Sequence, residues 1–447
     1  MINGTRPDPA SAHYAARVHD VRVRACVKSL LMTCLLIVAA AVAAGCGSSA
    51  QGAAAVPQIG FTIGRDPTRI GEKVIENCNQ AANGRYRIEP IYNPPTVDGQ
   101  REQLIRRLAG KDPSLDILGL DVIWTAEFSE ANWIYDLTDQ VKPIAKQFVP
   151  AALNTVKWKG KYWAVPVGTN VAVLYYRTDL IKQPPATWEE LVKQAKEVQQ
   201  THPDMAGLLW QANQYEGLTV DAMEFVYAAG GKVLNEDGTK SLLADGDGAT
   251  FAFSFMRKLF TDGVSPQQVL TFQEEESRQM FQQGKGVFLR NWPYVYSLAN
   301  GPDSKIKGKF DVVPLPGFAG RQTAGVLGGV NYAISRFSDH PKLAWEALQC
   351  LASSEHDKLK MIAKGELSAR EDTYTDPEVI AKIPFTKVAR KALDTAYARP
   401  ATPYYNDLTY AINRNANNVA AGRLSPDAGV KKANTAIQLA IEGKGEI

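Results

Sequence analysis

Phe281-Gln282-Gln283-Gly284-Lys285-Gly286-Val287-Phe288-Leu289-Arg290-Asn291-Trp292-Pro293-Tyr294 decides how this chain reads. It is a helix end, a Gly-Lys-Gly turn, a short apolar strand and a Trp-Pro-Tyr exit. Val287, Phe288 and Leu289 are β-prone, and Gly284 and Gly286 bound them. Pro293 has no N–H to offer a ladder, so no strand continues past Trp292. The stretch holds a large aromatic face at a strand's carboxyl end, where open α/β sheets bind ligands. An indole with polar neighbours suits a sugar. Its apolar face stacks on ring C–H groups while carboxylates and amides take the hydroxyls. A Trp closing the core is the competing reading, because Trp is usually highly buried.

Strands and helices alternate upstream. Pro57–Ile63 reads as a strand, and Asp66-Pro67 as a helix N-cap with Pro at the first helical position. Ile70, Val74, Ile75 and Cys78 then recur at helical spacing. Tyr86–Tyr92 is a second strand, Gln100–Leu108 a second helix, and Leu115–Leu120 a third strand ending at Asp121. That is a βαβαβ unit, which implies a parallel sheet. Asp121 opens the next helical stretch. An Asp there serves equally as a cap for orphan N–H groups and as an acceptor pointing into the crevice.

Tyr162–Arg177 is extended and apolar on both sides of Pro166, as a strand crossing between two lobes would be, with Asn170 just past the crossing. Thr187 and Glu190 have capping-box spacing, and so do Thr271 and Glu274. Helices are expected at 221–229, 249–260, 274–283 and 341–351, the last carrying Cys350. The C-terminal third is helical apart from Arg399-Pro400-Ala401-Thr402-Pro403-Tyr404-Tyr405. No internal repeat occurs.

With 447 residues, 45% apolar and 22% charged, the chain has material for two or three lobes. The N-terminus carries Arg17, Arg22, Arg24 and Lys28 before the apolar run 30–44, then Ala43-Ala44-Gly45-Cys46. Basic, apolar, then small residues is an export signal, and the run is short for a membrane span. Residues 1–20 precede any usual n-region, so the translation start is expected further downstream. Cys46 sits where a lipobox Cys would be acylated, although Ala43 stands where Leu is commonest; a plain signal peptide is the alternative. Residues 46–56 then form a lipidated tether. Setting aside five basic and two acidic residues in 1–45 leaves 45 of each from totals of 50 and 47. That balance gives no case for nucleic acid. Cys78 and Cys350 remain for the mature domain, an even pair that suggests a disulfide in an exported chain; two separate buried thiols are the alternative.

No phosphate loop and no Gly-x-Ser-x-Gly elbow is present. His202, His340 and His356 lack the spacing of a metal-ligand pair, so neither a metal nor a cofactor is expected. Asp245-Gly246-Asp247-Gly248 lacks the rest of a calcium loop and reads as a turn. Paired carboxylates such as Asp121 and Glu274 would suit a glycoside hydrolase, but no motif positions either as an acid.

Taken in order, Cys46, the two-lobe layout, Phe281–Lys285 with Trp292, and Gly328-Gly329-Val330-Asn331 resemble the solute-binding proteins of bacterial sugar ABC importers across 57–447. Leu120–Phe128, Gln211–Leu218 and Arg399-Pro400-Ala401-Thr402-Pro403 are most similar to trehalose/maltose-binding lipoproteins. The resemblance implies an α/β, two-lobe, type II periplasmic-binding-protein-like fold with an interlobe cleft and extra C-terminal helices. Lobe 1 is expected at 57–168 and 292–335, and lobe 2 at 169–291 and 336–447. Hinges are expected near 166–170, 291–292 and 328–335. The implied pocket has Asp121 and Glu274 accepting sugar hydroxyls and Asn170 doing both. Trp292 and Tyr294 stack on a ring, and Tyr405 takes a further stacking position. Gly328 and Gly329 bring backbone N–H groups close, Arg399 donates a fork of hydrogen bonds, and Asp66 sits where the match is poor. The ligand implied is a disaccharide, trehalose before maltose or another α-glucoside. The partners implied are the membrane subunits of an ABC permease, and the protein is expected to be a monomer.

Overall fold

The computed structural model describes residues 55–321 and 323–445. The signal segment, Cys46 and most of the tether lie outside them. Among the described residues no helix is long and apolar enough to cross a membrane.

Two main sheets organise the molecule. The first has the order β2-β1-β3-β11-β6, from Gln58–Ile63 (β1), Arg87–Tyr92 (β2), Ile117–Asp121 (β3), Val165–Val171 (β6) and Leu327–Ile334 (β11). Between β3 and β6 lies a two-stranded hairpin, Lys157–Trp158 (β4) and Lys161–Tyr162 (β5). The expected parallel unit is present: β1 pairs parallel with both β2 and β3. Its crossover helices are Ile70–Ala82 (α1) and Val97–Ala109 (α2). α1 buries Val74, Ile75, Cys78 and Ala82 on one face, the helical period read from the sequence.

The second sheet has the order β10-β7-β9-β8, from Val173–Arg177 (β7), Ala206–Leu209 (β8), Gly286–Asn291 (β9) and Phe310–Pro314 (β10). Every residue of β9 is buried. Trp188–Thr201 (α3) packs on β8, with Thr187 Oγ1 accepting the Glu190 N–H at 3.1 Å as expected of that cap. Glu216–Ala228 (α4), Gly248–Thr261 (α5) and Tyr405–Ala420 (α6) form the helical layer of this half.

Two expected caps differ. α1 begins at Ile70 rather than Pro67, because Asp66 Oδ1 accepts the Thr68 N–H at 2.9 Å and closes a local turn, and Arg69 takes a left-handed φ of 55°. At Glu274–Gln282 (α7) the box lies two residues later: Glu276 accepts the Gln273 N–H at 3.0 Å, while Thr271 Oγ1 donates to the Gln268 carbonyl.

The strand pairings also revise the expected boundaries. β10 pairs antiparallel with β7, so 310–314 serves the second sheet although 292–335 was expected in the first lobe. Pro341–Leu351 (α8) and Ser354–Lys364 (α9) pack on α1 beside the first sheet, although 336–447 was expected in the second lobe. The Cys78–Cys350 disulfide lies at that packing, with S–S 2.07 Å and Cα–Cα 5.8 Å, joining α1 to α8.

Candidate functional site

β1, β2 and β3 end together at one edge of the first sheet, and a cavity of about 300 Å³ opens there. Asp66, Asn93, Asp121, Tyr332, Lys364 and Glu366 are among its walls. Asn93 is buried, and its Oδ1 has no hydrogen-bond partner. A buried acceptor left unsatisfied at a cavity wall is a place for a ligand donor or water. Lys364 and Glu366 form an ion pair at 2.5 Å. Asp121 Oδ1 accepts the Ile123 N–H at 3.2 Å, so the carboxylate shapes the turn after β3 and also faces the cavity.

Trp292 leaves the end of β9 as a half-buried ring. Its backbone is fastened at both ends: Asn291 Oδ1 accepts its N–H at 2.7 Å, and the Tyr175 hydroxyl donates to its carbonyl at 2.9 Å. The Arg290 guanidinium lies 4.8 Å from the indole centroid. Arg290 is buried and held by Asp221 at 2.7 Å, Glu224 at 2.6 Å and Gln211 at 2.8 Å. A Cβ on Gly328 would meet Trp292 Cη2 at 3.1 Å, so this glycine lets β11 pass against the ring. Asn170 stands opposite Gly328 in the β6–β11 register. Gly329 has a different task. Its φ is 135°, and a Cβ there would stand 2.2 Å from the Gly168 carbonyl oxygen. Only glycine fits that backbone and that approach.

Arg399 links these parts. It donates to Asp121 at 2.9 Å, to Glu216 at 2.7 Å and to the Leu327 carbonyl, next to Gly328, at 3.1 Å. These bonds take three of its five N–H donors and fix the guanidinium against the protein's own acceptors. Tyr405 is held by the same Glu216 carboxylate. It is 2% exposed and its hydroxyl donates to Glu216 at 2.8 Å, which leaves no free ring face for stacking. Thr409 donates to the same carboxylate at 2.5 Å. Burial raises the Glu216 pKa, and Arg399 opposes the rise.

Arg399 and the start of β11 therefore connect Asp121, which lines the cavity, to Gly328, Trp292 and Asn170 beyond its walls. Asp66 lies on the wall of the same cavity. Tyr294 and Glu274 stand on the α7 side. The Tyr294 hydroxyl donates to Glu275 at 2.7 Å, and the Glu274 carbonyl accepts from Asn291 at 3.0 Å. Burial first, then the Glu274 charge, raises the Tyr215 hydroxyl pKa. Sequence reasoning missed Glu216, Asp221, Glu224 and Arg290. The signal was there: three acids inside an apolar helix need buried cations, and Arg290 and Arg399 are those cations.

A family model described as bacterial extracellular solute-binding protein matches residues 79–358. The Probable ABC transporter-binding protein of Deinococcus radiodurans is 30% identical over 373 residues, 80% of this chain and 87% of that protein. The Maltotriose-binding protein of Pyrococcus abyssi is 24% identical over 302 residues, 66% of this chain and 63% of that protein. Among solved structures, maltose-bound MalE3 of T. maritima is 31% identical with a TM-score of 0.80, covering 86% of this chain and 100% of that one. The GacH receptor of Streptomyces glaucescens, at 18% identity and a TM-score of 0.78, covers 87% of this chain and 99% of that one, and shares the fold.

Proposed function

The chain belongs to the bacterial extracellular solute-binding proteins, and on that premise we propose that it captures a disaccharide, trehalose first, and hands it to the membrane subunits of an ABC importer. The observation that supports this reading is the Arg399 link: it donates to Asp121 on the cavity wall and to the Leu327 carbonyl, next to the Gly328 that Trp292 packs against. One side offers an indole plate and the other a set of oxygen and amide groups. That is the pairing of apolar face and hydrogen-bonding edge that a neutral sugar presents. Asp121, Asp66 and Asn93 take hydroxyls from the first half, Asn170 lies at the boundary, and Trp292 stacks. Glu274 and Tyr294 extend the site on the α7 side. Arg399 holds Asp121 in place.

The lobes in this reading follow the strand pairing, with 315–326 carrying the chain back to the first sheet and 341–364 staying beside it. They close around the sugar by population shift. A disaccharide has about 23 heavy atoms; at roughly 0.3 kcal/mol each, binding is worth ~7 kcal/mol and Kd lies near the micromolar range. Such affinity permits release to a permease. Acylation at Cys46 would keep the protein at the membrane.

Maltose is the second reading, favoured by the 31% identity to a maltose-bound structure. A thermal-shift and calorimetric screen against trehalose, maltose, maltotriose and glucose separates the two. Trehalose binding tighter than maltose is the expected result. Maltose preference would replace the first reading with the second, and silence toward every sugar would remove both. Free glucose released from trehalose would instead mean hydrolysis.

A further inference from the structure

Cys78 and Cys350 are not equivalent sulfurs. Cys78 is fully enclosed within α1, and Cys350 is half-buried on α8. His356, buried at the start of α9, lies between them. Its Nδ1 is 2.7 Å from the Cys350 carbonyl oxygen and 3.7 Å from Cys78 Sγ, and its Nε2 is 3.5 Å from Asn77 Nδ2. The carbonyl can only accept, so Nδ1 carries a proton and donates. The same N–H faces the Cys78 sulfur. A thiolate formed at Cys78 would share that donor with the Cys350 carbonyl, whereas Cys350 is the half-buried partner of the pair. Exchange rates depend on access to the attacked sulfur and on the stability of the leaving thiolate, and both favour one direction.

We propose that this disulfide is a thiol-exchange site of fixed polarity, taking small thiols at Cys350. The thiolate of an incoming thiol attacks Cys350 Sγ, and a new S–S bond forms there. The old bond breaks, and its electron pair leaves on Cys78, next to the His356 N–H. A second thiol attacks the mixed disulfide, releases the Cys350 thiolate and leaves as the oxidised thiol dimer. Two external thiols are oxidised, and the protein gains two electrons.

The exchange reaches the ligand cavity. Val74 and Gly71 stand one and two turns before Cys78 on α1, and Leu351 follows Cys350; all three line the cavity, as do Lys360 and Lys364 of α9. Cutting the bond frees α1 from α8 behind that wall. Reduced protein therefore binds ligand more weakly, a consequence that rests on the proposed sugar reading.

The test treats the oxidised full chain with glutathione, quenches with acid and maps the adduct by mass spectrometry. Adduct on Cys350 in clear excess is expected. Adduct on Cys78, or no exchange while the protein remains folded, overturns the proposal. His356→Phe should slow exchange several-fold, because the leaving sulfur loses the N–H donor beside it. An unchanged rate would take His356 out of the mechanism, and the melting of the oxidised variant reports whether it folds; the wild-type mapping needs no variant. Sugar affinity is then compared in oxidised and reduced protein. A several-fold loss on reduction is expected, and equal affinity removes the link to the cavity. If the oxidised protein binds no sugar, the sugar reading fails and the exchange result stands.

Discussion

Two adjacent glycines on one strand do opposite work. Gly328 gives way to a side chain, Trp292, whereas Gly329 gives way to backbone. Gly328→Ala should push the indole by a few tenths of an ångström and weaken sugar binding, with melting little changed. Gly329→Ala must cost folding, since a methyl 2.2 Å from a carbonyl oxygen forces β6 and β11 apart; calorimetric melting reads the difference. Trp292→Ala should reduce affinity by roughly tenfold or more, about 1.4 kcal/mol of lost stacking, with the Arg290 cage intact. A collapse in melting temperature would instead make Trp292 a core residue. At this scale the strand-end positions of Asp121 and Trp292 were legible from turn residues and apolar runs. The partners of Arg399 and Tyr405 were not, because Glu216 lies 183 residues from Arg399 and no local pattern links them.

At the scale of elements, α4 is the unusual piece. It is buried along nearly its whole length and carries Glu216, Asp221 and Glu224. Removing one partner from a buried pair leaves an uncompensated charge, so Glu216→Ala should cost about 3–5 kcal/mol of stability, measured by denaturant unfolding. Asp221 and Glu224 share a single guanidinium. Burial pushes both carboxyls up while Arg290 pulls them down, and the net direction is upward. Between the ordinary value of 3.8 and the raised value of Asp221, the folded state holds more protons than the unfolded one. Its contribution to stability is therefore greatest at the acid end and falls as pH rises through that window. Asp221→Asn removes the titration. Wild-type melting should fall relative to the variant as pH rises above the ordinary value of 3.8, and parallel curves would refute the shift. The helical period announced the existence and type of these elements. It could not announce caps set by competing side chains, as at Asp66 and Gln273.

Across the whole molecule, the α/β alternation was legible and the allocation of segments to halves was not. β10 joins β7 and α8 joins α1 through contacts far apart in sequence, and periodicity carries no information on such pairings. The cysteines did carry it, since an even pair in an exported chain suggested a bond between positions now seen on α1 and α8. That bond spans 272 residues. Its reduction should lower stability by up to about 5–6 kcal/mol in the chain-entropy picture, visible as a lower melting temperature under reductant. Sugar should act the other way, adding ~2.7 kcal/mol at a hundredfold excess over Kd. β6 and β7 have one more implication. They belong to different sheets yet are separated only by Ala172, itself 1% exposed. One residue spans at most ~3.6 Å, too little slack for either sheet to shift sideways past the other. Rotation about that short pivot is the freedom left, and lengthening it by two or three glycines should uncouple the sheets without unfolding either.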